Sequence, residues 1–369
     1  MTLIMPIFAL DTPFMLTYRG LSFTSMVNWC IRISTALRGN SFKKTLSERA
    51  QVMEVWVLYG DDIESNADLA HECRRFLSEG KKMDIDVKII KPSQFDLLVS
   101  QDDRESILID GKAAPLPDFV FPYFNHNDHG YFSLAISRQL ARLGVHVFNG
   151  ADVIETVRDK LHTHQILAES GIDTPDTMLA KFPVDLQLIE QTIGFPLVVK
   201  TLNGALGIGV FLLESRSAFM DLMELVGETN PNLQLIFQKF VSVSKGRDLR
   251  LFVVDGEVIA SMERRAQDGG FKANYSSGAS VHAFDPDKEA VDIALKTAEV
   301  LNIDIGGIDL LFKEGGGYTI CEANTFPGFK GLEKASGVNV AGKVFEAMQR
   351  HLEKKGGMSR RELKAAKSA

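Results

Sequence analysis

Residues 305–328 read IGGIDLLFKEGGGYTICEANTFPG. Two apolar runs of strand length, 305–312 and 318–328, flank three consecutive glycines, and that pattern predicts a pair of strands joined by a turn at 315–317. Apolar strands rarely hold a carboxylate without a partner, yet Asp309 stands in the first run and Glu322 with Asn324 in the second. Side chains alternate along a strand, so Glu322 and Asn324 share a face. If the two runs pair through the glycine turn, Asp309 reaches that face as well, and three hard oxygen donors converge. An alternative in which Asp309 and Glu322 serve only to pair with Arg250 or Arg264 leaves Asn324 without a purpose.

Upstream, FPLVVK (195–200) ends a strand on Lys200 and runs into NGALGIG (203–209), which the strand GVFLL follows. Glycines between two strands predict a β-hairpin loop, not the strand-to-helix turn of a P-loop. Such a loop lets backbone N–H groups approach a polyphosphate, with a lysine supplying a fixed charge. Lys200, Gly204, Gly207 and Gly209 are therefore candidate nucleotide contacts, although a glycine loop on its own is more often an ordinary flexible hairpin. Mg²⁺ carrying ATP is the ion that three convergent oxygens on the later strands suit, since it completes its octahedron with phosphates and water. Between the two regions, KGRDLRLFVVDGEVIASMERRA (245–266) alternates as strands and leaves Asp248, Arg250, Arg264 and Arg265 near strand ends, where such groups are usually solvated. Arginine grips phosphate or carboxylate oxygens in a fork. The stretch GGFKANYSSGAS (269–280) places Lys272 and Asn274 in a loop of small residues suited to closing over a substrate.

The chain has 369 residues, enough for two or three packed units. Residues 53–59 form an apolar strand, a helix follows at 66–82 and a strand at 87–90; a strand at 119–122, a helix at 131–143 and a strand at 145–148 repeat the alternation. That implies a parallel sheet with helices on its faces. No GxGxxG follows the first strand, so a dinucleotide site is not read there. Further helices are expected at 159–169, 217–226, 289–301 and 340–354. Hydrophobic residues make up 45 % and charged residues 24 %, a globular balance, and 48 acidic against 41 basic residues argue against a general nucleic-acid binder. The cysteines, Cys30, Cys73 and Cys321, are far apart and form no CxxC, so neither a disulfide framework nor a thiolate zinc site is indicated. No apolar run is long enough to span a membrane. The first fifty residues are rich in arginine, lysine, serine and threonine, like an organelle transit segment; an irregular extension ahead of the first strand is the preferred reading, with a cytoplasmic location. The tail after 356 is basic and polar.

Taken in order, DKLHTHQILAESGIDTP, FPLVVKTLNGALGIGVFL, LIFQKFV, GRDLRLFVVDGEVIASMERRA, FKAN, GGIDLLF and CEANTFPGFKGLE resemble the RimK-type branch of the ATP-grasp ligases over residues 53–352. The resemblance implies an α/β and α+β architecture: an ATP-grasp fold behind an amino-terminal Rossmann-like domain. On that frame 1–52 is an extension, 53–150 the Rossmann-like domain, 151–241 and 242–355 the two ATP-grasp subdomains, and 356–369 a tail. It also implies roles. Lys160 and Lys200 would contact phosphates, Gln238, Lys239, Phe240 and Val241 would form the linker beside adenine, and Asp248 would belong to the ATP site. Asp309, Glu322 and Asn324 would hold Mg²⁺, with Mn²⁺ as a substitute. Arg250 and Arg264 would position the acyl phosphate, with Asn274 and Lys272 nearby. Family members often show FRxN followed by Arg-Gly, whereas here Lys272 stands for the arginine and Ser277 for the second. That puts the identity of the substrate carboxylate in question.

The implied activity is ATP-dependent joining of a carboxylate to an amine through an acyl phosphate, adding glutamate or another amino acid to a protein tail, a cofactor or a small peptide. Two alternatives stay open: another ATP-grasp peptide or amide synthetase, and an ATP-binding regulatory protein with weakened turnover, which Ser277 and the apolar Ala205 and Leu206 in the glycine loop suggest. Neither nucleic acid nor membrane is an expected partner. Related ligases commonly form dimers or tetramers, so a homo-oligomer is possible, and the sequence does not fix the oligomeric state.

Overall fold

Strands linked by helical crossovers must run parallel, and the first sheet does. The computed structural model describes residues 52–66, 69–100, 106–124, 130–202, 207–267, 269–275 and 278–355. In it β1 (Glu54–Leu58), α1 (Ala70–Lys82) and β2 (Asp86–Ile90) form one βαβ unit. A meander of β3 (Phe95–Leu97), β4 (Ile107–Ile109) and β5 (Lys112–Ala113) follows, then β6 (Phe119–Pro122), α2 (Tyr131–Arg142) and β7 (His146–Val147). The sheet order is β2-β1-β6-β7, every pair parallel. The expected alternation is met, while the meander was not expected because strands of two or three residues carry no readable period.

Phe76 of α1 is buried, its ring edge-on to Phe121, Tyr123, Phe329 and Phe345 at centroid distances of 5.3, 5.8, 5.5 and 5.7 Å. Aromatic pairs favour this geometry, and truncating such a residue to alanine costs about 3–5 kcal/mol. The amino-terminal sheet is thereby fastened to the carboxy-terminal part of the chain.

Two helices follow where one was expected. Asp159 sits in an extended conformation and its carboxylate accepts from His162 N at 3.0 Å, so it ends α3 (Ala151–Arg158) and caps α4 (Lys160–Glu169). Next come β8 (Thr177–Leu179), α5 (Leu186–Thr192), β9 (Leu197–Thr201), β10 (Val210–Leu213), α6 (Arg216–Thr229) and β11 (Leu235–Lys239). Their antiparallel sheet has the order β10-β9-β11-β8, and its apolar face packs on Ile189, Phe219, Met223 and Val226 of the two helices. The glycine stretch does lie between antiparallel strands, with Lys200 opposite Val210. Gly204, with the rest of 203–206, lies outside the described residues, as do 1–51, Ser277 and the tail.

The third sheet is antiparallel, in the order β14-β13-β12-β15-β16: β12 (Arg247–Val254), β13 (Glu257–Arg265), β14 (Ser280–Ala283), β15 (Ile305–Phe312) and β16 (Tyr318–Asn324). Helix α7 (Lys288–Val300) covers one face; α8 (Lys330–Ser336) and α9 (Val340–Lys355) end the described chain. Alternation sorts β12 sharply. Leu249, Leu251 and Val253 pack with Ala290, Ala294 and Ala298 of α7, which sends Asp248 and Arg250 to the opposite face. Between β15 and β16 the pairing runs Gly307 to Asn324, Ile308 to Ala323 and Asp309 to Glu322, then shifts by one so that Leu310 meets Ile320. Cys321 is the extra residue of this bulge.

Asn149 joins the first sheet to this hairpin. Fully buried, at φ 56°, it donates through Nδ2 to Ile305 O (2.6 Å) and Thr325 O (2.9 Å), and its Oδ1 accepts from Asp304 N (3.0 Å) and Ile305 N (3.3 Å). One amide is fully satisfied by two segments that open and close the acidic hairpin.

Candidate functional site

A cavity of about 810 Å³ runs between the second and third sheets and continues to the amino-terminal sheet. Its walls hold most of the candidate residues: Lys160, Lys200, the Gln238 to Val241 stretch, Asp248, Arg250, Arg264, Lys272, Asn274, Asp309, Glu322 and Asn324 all line it, as does Gly207.

The third sheet contributes a charge ladder set by register. Asp248 lies opposite Arg264, and Arg250 lies opposite Asp309. The Arg250 guanidinium donates to both Asp309 oxygens at 2.7 Å through Nε and Nη2. Arg264 donates to Asp248 through Nε (2.6 Å) and Nη2 (2.9 Å), and its Nη2 also reaches Asp309 Oδ2 at 2.8 Å. Contrary to the usual fate of strand ends, Asp248 and Arg264 are buried at 7 and 4 % exposure, while Asp309, expected within an apolar strand, is buried at 1 %; Arg265 is the exposed member. Burial works against the charge on every one of them. For Asp309 two guanidiniums overcome that and hold its carboxyl below the ordinary value. Asp248 has a share of one guanidinium and feels Asp309 beside it, so burial prevails and its carboxyl is pushed up to about 6. Asp248, which the family resemblance gave to the ATP site, is tied to Arg264 and lines the cavity. Gly307 makes room for this arrangement, because a Cβ there would stand 2.9 Å from Pro327 Cβ and 3.4 Å from Arg250 Nε.

Glu322 and Asn324 share the face of Asp309, as their spacing required. The Asn324 amide nitrogen sits 3.5 Å from Asp309 Oδ2 and 3.4 Å from Glu322 Oε1. Its positive end thus occupies ground between two carboxylates where a cation is favoured, and turning the amide over presents Oδ1 in its place. The sequence alternative was partly right: Asp309 does pair with both arginines, but Glu322 makes no ion pair among the described residues. Asp309 therefore brings to any metal only the lone pairs that the guanidiniums leave. One half-buried glutamate, one shared aspartate and one amide still suit Mg²⁺, which keeps several ligands from water and phosphate. Burial pushes the neighbouring Cys321 thiol up to about 12, so this cysteine lines the cavity as a neutral group.

Across the cavity, Lys200 is buried at 8 % exposure, and its ammonium makes no hydrogen bond or ion pair among the described residues. Lys160, at the start of α4, has its pKa lowered by burial and by Lys200, while Glu322 opposes the shift. Gln238 turns its side chain inward: its Nε2 donates to Thr177 Oγ1 at 2.8 Å and lies 3.1 Å from His164 Nε2. His164, bonded through Nδ1 to Thr174, was not singled out from sequence; burial and the two lysines push its pKa down to about 4, so it is a neutral acceptor for Gln238. Lys239 is exposed, 3.8 Å from Asp176, and its N–H donates to Asp176 O, whereas Phe240 and Val241 continue along the cavity wall.

Lys272, expected in a loop that closes over the substrate, lines the cavity and reaches the glycine hairpin. Its Nζ donates to Gly207 O at 2.8 Å and lies 6.0 and 5.7 Å from the ring centres of Phe211 and Phe271. Gly207, at φ 75°, is approached so closely that an added Cβ would lie 3.1 Å from Asn274 Nδ2. Lysine and asparagine thereby join the loop of the third sheet to the glycine hairpin of the second; Gly209, at φ 71°, closes that hairpin onto Thr201.

Two α+β units that clasp a lysine-lined hairpin against an arginine-shielded acidic strand pair form the grip of an ATP-grasp ligase. Family models agree: residues 157–348 match the RimK-like ATP-grasp domain and 63–154 the RimK PreATP-grasp domain. The chain belongs to the RimK-like ATP-grasp family and is an ATP-dependent carboxylate–amine ligase. A probable alpha-L-glutamate ligase of Enterobacter sp. (strain 638) is 35 % identical over 282 residues, 76 % of this chain and 92 % of that protein. The ribosomal protein bS6–L-glutamate ligase of Escherichia fergusonii is 37 % identical over 247 residues, 67 % of this chain and 81 % of its own length. Among solved structures, the ATP-grasp ligase PsnB complexed with minimal precursor, Mg and ADP superposes with a TM-score of 0.63 at 17 % identity, covering 80 % of this chain and 96 % of that one. D-alanine–D-alanine ligase from Bacillus anthracis complexed with ATP gives 0.57 at 18 %, covering 81 and 97 %. These two likenesses bear on the fold. Among the described residues no helix is long and apolar enough to cross a membrane.

Proposed function

We propose that this ligase adds glutamate to the carboxylate of a protein or peptide acceptor through an acyl phosphate. The observation that carries the reaction type is the placing of the buried Lys200 ammonium, without a partner among the described residues, across one cavity from the Asp309, Glu322 and Asn324 face. The glutamate and the macromolecular acceptor rest on the relatives: one is named a ligase of glutamate to ribosomal protein bS6, another a probable alpha-L-glutamate ligase, and PsnB is complexed with a precursor peptide. A cytoplasmic location accords with such an acceptor.

An acceptor carboxylate oxygen attacks the γ-phosphorus of ATP and the bond to ADP breaks. The substrate ammonium first releases a proton to solvent; the freed amine lone pair attacks the acyl carbon, the carbon–oxygen bond to phosphate breaks, and the second proton shed by nitrogen leaves with inorganic phosphate. Alignment and charge neutralisation suffice for such transfer. Lys200 and Lys160 neutralise phosphate oxygens from the hairpin side. Glu322, Asn324 and the remaining lone pairs of Asp309 would hold Mg²⁺, or Mn²⁺ in its place, which supplies charge neutralisation at the transferred group. Arg250 and Arg264, locked by Asp309 and Asp248, present their remaining N–H groups in a fixed direction. The contact of Lys272 with Gly207 closes the cavity mouth, which keeps water from the acyl phosphate.

The test is amine-dependent ADP release by purified Lys200→Ala and Glu322→Ala proteins that retain the wild-type unfolding midpoint. A drop of at least about 100-fold is expected for each; wild-type turnover in either would refute the assignment.

A further inference from the structure

Four carboxylates among the described residues line the cavity: Glu72, Asp248, Asp309 and Glu322. Asp248 and Asp309 are consumed by Arg264 and Arg250, and Glu322 belongs to the face that suits a metal. Glu72, from the first turn of α1, stands apart. It is buried at 4 % exposure and makes no ion pair among the described residues. Its Oε1 accepts from Phe329 N (2.8 Å) and Lys330 N (3.0 Å), and its other oxygen has no hydrogen-bond partner among the described residues. Glu72 lines the cavity, so its second oxygen is left to meet a cation there.

Its place along the chain fits that arrival. The segment that Glu72 holds begins at Asn324 and passes Pro327, which packs on Gly307 beside Arg250 and whose carbonyl accepts from Tyr123 OH at 2.9 Å. Glu72 therefore borders the cavity from the amino-terminal wall, three residues' length of backbone beyond the proline that touches the arginine end. An amine substrate enters at neutral pH as an ammonium, and the arginines and lysines of the site repel it. We propose that Glu72 holds the ammonium group of the amine substrate, its Oε1 fixed by backbone N–H groups and its Oε2 facing the incoming nitrogen. The same contacts also dock α8, so a test must separate binding from docking. This inference rests on the ligase reading of the cavity.

Glu72→Gln keeps the shape and the carbonyl oxygen for Phe329 and Lys330 N–H but loses the charge. With ATP, Mg²⁺ and a peptide acceptor on which the wild type is active, the KM for L-glutamate should rise about 10- to 100-fold, as for loss of a charge-assisted hydrogen bond, while the KM for ATP stays within twofold. Hydroxylamine, uncharged at neutral pH, should lose far less as the replacement nucleophile, measured as hydroxamate. Glu72→Asp should recover part of the glutamate affinity. A glutamate KM within twofold of wild type, or an equal loss with glutamate and hydroxylamine, would overturn the inference and leave the ligase reading standing. A wild type that turns over no amino acid with any acceptor would instead refute the glutamate reading, and this one with it.

Discussion

Replacing Lys272 by methionine removes one donor from the joint between two loops and little else. A hydrogen bond to a charged group contributes about 1.5–3 kcal/mol, but Lys272 is half-buried and water competes for Gly207 O, so about 1 kcal/mol is a fair discounted figure. At 1.4 kcal/mol per factor of ten, that lowers the closed population about fivefold. The methionine still fills the space between Phe211 and Phe271, so folding is untouched. Two readouts follow: the KM for ATP rises about fivefold, and the ratio of ADP released to amide formed climbs above one as the activated carboxylate is lost to water. Lys272→Arg retains a donor and restores coupling. An unchanged ratio together with an unchanged KM would refute the reasoning, and loss of activity at unchanged KM would return Lys272 to a role at the substrate.

The buried imidazole of His164 has a folded pKa of about 4 against 6.5 for an ordinary histidine, so between those values the unfolded chain binds more protons and stability falls as the pH falls. Its share is fully present above pH 6.5 and about 3 kcal/mol is gone by pH 4; His164→Met should flatten that stretch of a denaturant-unfolding series, and an identical pH dependence would contradict the assignment. Asn149→Ala strands four backbone groups and should lower stability by about 3 kcal/mol in urea unfolding, with a midpoint near wild type counting against it.

Much of this was open to reading from residues alone. Asp309, Glu322 and Asn324 declared themselves because carboxylates in apolar strands are rare and because a period of two settles which side chains share a face. The parallel sheet and the glycine hairpin followed from alternation and from the strands on both sides of the glycines. What stayed hidden is what depends on register between distant strands. Pairing of Asp309 with Arg250 or Arg264 was legible only as an alternative, because nothing in KGRDLRLF sets the register that puts Arg250 opposite Asp309 and buries Asp248 with Arg264. His164 reads as one more polar residue on a helix until Gln238 is placed against it, and Glu72 as an acid in a first turn until the chain brings Phe329 above it. Short elements such as β3 to β5, β14 and α8 carry too few residues to show a period.

The extra residue at Cys321 has a consequence for how this chain can vary. On one side of it, Ile320 and Tyr318 are keyed to the apolar layer; on the other, Glu322 and Asn324 are keyed to the cavity. Because the two halves are one step out of phase, deleting any single position between 318 and 324 would turn one half over, hiding the acids or baring the isoleucine. This hairpin can therefore accept many substitutions at the bulge itself, where the thiol has no partner to lose, but must keep its length to the residue.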